Sequence, residues 1–253
     1  GRRPVVSRSP FSGLDCLREG AKLLLHPQLR IFILIPLAIN FVLFLIATSF
    51  LIAQFSAAIA WTLGWIPSWL DFLYDYLAWI LWPLMIFSVL LVYGYSFGII
   101  TNLIAAPFNG LLAEKIEAHL THIPPPPESL ASMIPRTLGR ELMKLWYFFS
   151  RGIVVVIGIL VLSFIPGLNI IASVIGVVWG AWTMAIQYID YPADNHQTRF
   201  KDLRDYLGDQ GMNTFSFGGT VMLATMIPVV NIFAMPVAVA GATVFWVRSG
   251  GDR

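Results

Sequence analysis

The chain has 253 residues, 57% of them hydrophobic and 12% charged, with 16 Lys and Arg against 14 Asp and Glu for a formal net charge of +2. Soluble domains carry about 25% charged residues, so this composition excludes an ordinary water-soluble globule; no nucleic-acid partner is expected. The single cysteine, Cys16, excludes an intrachain disulfide and a cysteine metal centre.

The first thirty residues form a polar, amphipathic lead. Phe11, Leu14, Leu17, Ala21 and Leu24 recur at helical spacing beside Arg18 and Lys22, which predicts a helix resting on the cytoplasmic membrane interface. Four stretches then carry no Asp, Glu, Lys or Arg: 31–70, 76–113, 152–189 and 210–247. A hydrocarbon core of about 30 Å needs about 20 apolar residues per helical crossing. The first two stretches predict transmembrane helices over 31–56 and 76–106, the second with scope to continue to 120.

Lys and Arg number six in 1–30, none in 57–75, five in 114–151, three in 190–209 and two after 247. The positive-inside rule puts 57–75, with Asp71 and Asp75, outside and the other connections and both termini in the cytoplasm. The third and fourth stretches must therefore enter and leave on one side. Each breaks midway at a similar word, Ile165-Pro166-Gly167-Leu168-Asn169 and Ile227-Pro228-Val229-Val230-Asn231. Proline removes a helix donor and asparagine favours a cap, so helical hairpins are expected over 152–189 and 210–247. Arms 153–165, 211–227 and 232–247 would be about 20, 26 and 24 Å long. Partly penetrating, re-entrant hairpins fit these lengths, with four short tilted helices as the alternative. Ahead of the first hairpin, a stiff run of prolines at 124–127 precedes an amphipathic segment, 128–150, with Arg136, Arg140 and Lys144 on a turn-by-turn stripe. That stripe reads as a solvated or headgroup-facing surface, or as the lining of an anion route. The expected fold class is thus an all-α integral membrane protein in a single membrane domain.

Catalytic motifs are scarce. Gly94-Tyr95-Ser96-Phe97-Gly98 has the spacing of a hydrolase nucleophile elbow, yet it lies in an apolar helical stretch where the glycines read better as a small-residue packing face. No Walker-type phosphate loop is present. The histidines His26, His119, His122 and His196 fall in polar connections without a third ligand at metal spacing. Neither an enzyme, a metal site nor a cofactor is expected.

Two features point to an anion. Arg30 closes the run His26-Pro27-Gln28-Leu29-Arg30 where the first span begins, and proline at a first helical turn leaves backbone amides that an oxyanion can take together with the guanidinium. A snorkelling interfacial arginine is the competing reading. If Asn169 and Asn231 cap the returning hairpin arms, two helix N-termini also present positive dipole ends within the membrane. With Asn109, Arg136 and Arg140 they make up the candidate pathway residues.

The words Ile104-Ala105-Ala106-Pro107-Phe108-Asn109-Gly110-Leu111-Leu112-Ala113-Glu114, Ala185-Ile186-Gln187-Tyr188 through Asp194-Asn195-His196, and Met235-Pro236-Val237-Ala238-Val239 resemble those of the CysZ sulfate transporter family. With both proline-broken hairpins, the resemblance covers nearly the whole chain. It implies a sulfate permease of the bacterial inner membrane, feeding cysteine biosynthesis and working as a homo-oligomer in lipid. The family's sulfate motif falls on Gln28, Leu29, Arg30 and Ile31, which assigns sulfate to Arg30 and the backbone amides of Gln28 and Leu29. Ile31 stands where the family has a second arginine. A sulfate-binding accessory or regulatory membrane subunit is the alternative.

Overall fold

Apolar side chains face outward over much of this protein, the inverse of a water-soluble core. The computed structural model describes residues 12–65 and 67–251, with side chains at 58, 59, 62, 63, 71–78, 81, 228, 229, 231 and 232 outside that description. Phe11 and the side chains of Asp71, Asp75 and Asn231 therefore lie outside the described residues.

The described elements are helical: α1 Gly13–Leu23, α2 Pro27–Leu63, a 3₁₀ turn Ser68–Leu70, α3 Asp71–Thr121, α4 Leu130–Ser163, α5 Asn169–Asn195, α6 Phe200–Gln210, α7 Met212–Thr225 and α8 Pro228–Arg248. Four of them, α2 to α5, are long and apolar enough to cross a membrane. Trp146, Val154, Ile157 and Leu160 of α4 are all exposed, as helices solvated by lipid require. The fold is that of an all-α integral membrane protein.

Helix boundaries follow local chemistry. Ser129 caps α4, its hydroxyl accepting from the Ser132 N–H, and the helix then runs unbroken through the amphipathic segment into the apolar arm. It ends at Ser163 with Phe164 as its cap, and the chain then turns through Gly167 at φ +85°, a left-handed conformation that suits glycine. Asn169 is the first residue of α5 rather than its cap, which is Leu168, and its side-chain oxygen accepts from Ile170 N–H at 3.1 Å. The second break comes earlier than the Asn231 reading places it. Pro228 already occupies the first turn of α8 after Ile227, because its fixed φ and missing N–H suit a helix start.

The chain divides into two compact units, one comprising the chain to Leu34 together with Ala105 onward, the other Ile35–Ile104. In the first, α5 packs on α7, α4 and α8. The core includes Leu112, Ile116, Ile186, Leu203, Phe217 and Phe245. α1 packs against α8 and α7 instead of lying free on an interface. It buries Gly13, Cys16, Leu17, Gly20 and Leu23, with Leu24 buried just beyond it; of the expected stripe, Leu17 and Leu24 face the protein, Ala21 is half-buried and Leu14 is exposed. Glycine makes the reason plain: a Cβ on Gly20 would lie 2.4 Å from Gly241 N and one on Gly13 2.4 Å from Phe217 N. The α7 helix meets α5 as closely, for a Cβ on Gly218 would lie 1.8 Å from Ala181 O. In the second unit, Thr48 and Tyr93 hydroxyls bond at 2.8 Å, and Phe44 meets Phe97 edge-on with centroids 6.0 Å apart.

Gly218→Ala is expected to lower stability by about 1–3 kcal/mol or more, since backbone must move to admit the methyl group. Gly94→Ala, whose Cβ meets nothing within 4 Å, should not lower the melting temperature of the solubilised protein. Burial pushes the Cys16 thiol up to about 11. Maleimide labelling near neutral pH should therefore be slow in the folded protein and fast after denaturation.

Candidate functional site: an anion cleft and a buried ionic ladder

The start of α2 opens onto a cleft of about 620 Å³ lined by His26, Pro27, Gln28, Leu29, Lys115, Ala118 and His119. Pro27 is the first helical residue and brings no N–H. Leu29 N–H closes a tight turn onto His26 O at 3.0 Å, whereas Gln28 N–H has no backbone acceptor among the described residues. Arg30 lies one turn in. Its Nε donates to Leu25 O at 3.0 Å, which ties the guanidinium over the turn between α1 and α2.

Lys115 and His119 come from the last turns of α3, four residues apart and so on one face. The His119 ring meets His26 with centroids 5.0 Å apart. Lys115 has a loose, exposed partner in Glu114 at 3.8 Å, a kind of pair that contributes little. An ammonium, two imidazoles and a helix N-terminus thus converge, with Leu29 buried behind them. Such an arrangement has the donors and positive charge that suit a small oxyanion. The residues contributed by α3 were missed in the sequence, where His119 and Lys115 show no link to His26 some ninety positions away.

Arg136, Arg140 and Lys144 have a different role from the one their stripe suggests. Arg136 donates to both Glu128 carboxylate oxygens, with Nη2 to Oε2 at 2.7 Å, and to Asp194 O at 2.7 Å, and pairs with the Asp194 carboxylate. Arg140 Nε donates to Asp190 Oδ1 at 2.8 Å. Lys144, with its side chain 1% exposed, lies 2.6 Å from Glu141 Oε1 and 3.3 Å from Asp190 Oδ2, and donates to Gln187 O. Cations at every fourth residue of α4 therefore meet carboxylates at Asp190 and Asp194, four apart on α5. The Arg136 guanidinium holds the Glu128 carboxyl below the usual carboxylate range. Asp190 and Asp194 lie inside α5.

The candidate asparagines occupy unlike surroundings. Asn109 is buried on α3, its Nδ2 without a partner among the described residues. Asn169 is exposed at the start of α5, and Asn231 sits in the first turn of α8. Beside Asn109 in sequence, Gly110 O accepts from Asn195 Nδ2 at 2.8 Å, and the His196 ring bonds Glu117 at 2.5 Å. Two of the words that carry the family resemblance are thus joined to each other. Among the described residues no group of three His, Cys, Asp or Glu is placed to hold a metal ion.

A family model described as sulfate transporter CysZ/etoposide-induced protein 2.4 matches residues 16–236. Among curated relatives, the sulfate transporter CysZ of Pseudomonas fluorescens is 48% identical over 245 residues, covering 95% of each chain. That of Pseudomonas aeruginosa is 45% identical over 247 residues, covering 96% of this chain and 97% of its own. That of Salmonella enteritidis is 45% identical over 242 residues, covering 94% and 92%.

Asp190→Ala should strand Arg140 and leave Lys144 with Glu141 alone, destabilising the protein by about 3–5 kcal/mol, read as a fall in denaturation midpoint. Glu114→Ala, which removes an exposed pair, should cost less than about 1 kcal/mol.

Proposed function

The chain belongs to the family described as sulfate transporter CysZ/etoposide-induced protein 2.4, and from that membership we propose that it transports sulfate across the bacterial inner membrane to supply cysteine biosynthesis. The observation that carries the reading is the cleft at the start of α2, where Gln28 and Leu29 meet Lys115, His26 and His119. Sulfate is a compact dianion with acceptors in every direction, so it takes the Gln28 amide, the Arg30 guanidinium and the Lys115 ammonium together. Leu29 contributes the buried wall rather than a free donor, its N–H being held by His26.

From this entry the anion follows polar groups at Asn109, Asn169 and Asn231. Arg136 and Arg140 meet it only by exchanging Asp194 or Asp190. In this reading α2 and α3 cross the bilayer fully, with residues 57–75 outside and both termini in the cytoplasm. The pairs α4–α5 and α7–α8 enter as partly penetrating hairpins. Supporting that, α7 has 14 residues, about 21 Å of helix, and the apolar part of α4 begins only after Arg151. Copies of the chain assemble as a homo-oligomer, and the protein performs no catalysis.

Labelled sulfate influx into liposomes holding only this protein tests the proposal. Flux above protein-free liposomes is expected, with Arg30→Ala raising half-saturation about tenfold through loss of a charge-assisted hydrogen bond. Saturable sulfate binding without flux would overturn transport in favour of an accessory subunit. Unchanged flux in Asn109→Leu, Asn169→Leu or Asn231→Leu removes that residue from the route.

A further inference from the structure

We propose that Arg204 and Arg151 form a binding site for the phosphate of an anionic phospholipid at the boundary where α4 becomes apolar. The cations of α4 nearer its start are matched by carboxylates. Arg204 of α6 is not: its guanidinium carbon lies 4.8 Å from the Tyr147 ring centroid and 5.2 Å from that of Phe200, and no carboxylate among the described residues pairs with it. Its Nε is buried without an acceptor. Phe200 and Lys201 lie four and three residues before it and share its helix face, while Asp202 and Asp205 lie two before and one after it and point elsewhere. Two aromatic rings thus hold a guanidinium in place while leaving its charge and outer donors unspent, which suits planar recognition of a phosphate.

The second cation comes from α4. Arg151 follows Tyr147 by four residues and so shares its face. It is exposed, has no ion pair among the described residues, and is the last charge before the uncharged run 152–189. Tyr147 is itself fixed by the indole N–H of Trp182, which donates to its hydroxyl at 3.1 Å. Trp146 beside it is 68% exposed. Aromatic rings and basic residues at the end of an apolar helix mark the headgroup level of a bilayer. Beyond Arg151 the outward face of α4 offers Val154 and Ile157. A phospholipid uses both parts, phosphate on the cations and acyl chain on the helix, whereas a free oxyanion uses the cations alone.

Native mass spectrometry of the full chain in neutral detergent, titrated with phosphatidylglycerol or phosphatidylcholine, tests this. Wild type should retain phosphatidylglycerol preferentially. Arg204→Gln and Arg151→Gln should each weaken that retention about fivefold, the factor one basic residue contributes near an anionic surface, with phosphatidylcholine unaffected. Equal retention of the two lipids, or unchanged retention in both variants, would overturn the proposal. Should Arg204→Gln fail to fold, the exposed Arg151 variant decides. Displacement of phosphatidylglycerol by inorganic phosphate or sulfate would overturn the lipid assignment in favour of a soluble oxyanion.

Discussion

Cations and carboxylates buried in one ladder hold α4 to α5, and the packing around them follows from that. Lys144 and Asp190 are each 1% exposed at the side chain, too deep for either charge to stand alone. Because Arg136, Arg140 and Lys144 recur every fourth residue and Asp190 and Asp194 do likewise, sliding either helix by one turn would leave a charge unmatched. The register of α4 on α5 is thereby fixed, and α5 in turn carries α7 and α8. Attraction within this ladder gives specificity more than net stability, since much of the Coulomb gain is offset by lost hydration.

Close backbone approach is the second constraint. Gly218 against Ala181 and Gly20 against Gly241 let helices meet without side chains between them, as membrane helices often do where lipid supplies no hydrophobic drive. The crossing of α1 on α8 then places the turn after α1. That turn carries His26 and opens α2, while the end of α3 brings Lys115 and His119. The cleft is therefore a consequence of packing. Its positive character needs no deeply buried charge, since an exposed ammonium and a helix start are enough to attract an oxyanion.

The same division of labour separates two kinds of cation. Arg136, Arg140 and Lys144 are consumed by structure, whereas Arg30, Lys115, Arg151 and Arg204 keep charge to offer. A cation on an outward face costs little to hold when its stem lies on apolar or aromatic surface. Position relative to the apolar helices thus separates structural charge from charge free to bind.

What the amino-acid sequence determined by itself was the class of fold and the family. Charge-free stretches longer than a bilayer is thick admit no soluble reading, and the ordered words around Asn109, Asp194 and Met235 specify the resemblance. Those are local properties: hydropathy, proline chemistry and residue order need no partner to be legible. Helix starts were read less well, because Asn231 competes with Pro228 for the same helix start and Gly167 settles the turn before Asn169. Only the tertiary structure decided which charges are spent. Arg140 and Asp190 lie fifty residues apart, and His26 and His119 further still, so pairing depends on how helices cross. A stripe of cations on one helix looks the same whether it faces water, an anion or another helix's carboxylates, and packing alone distinguishes them.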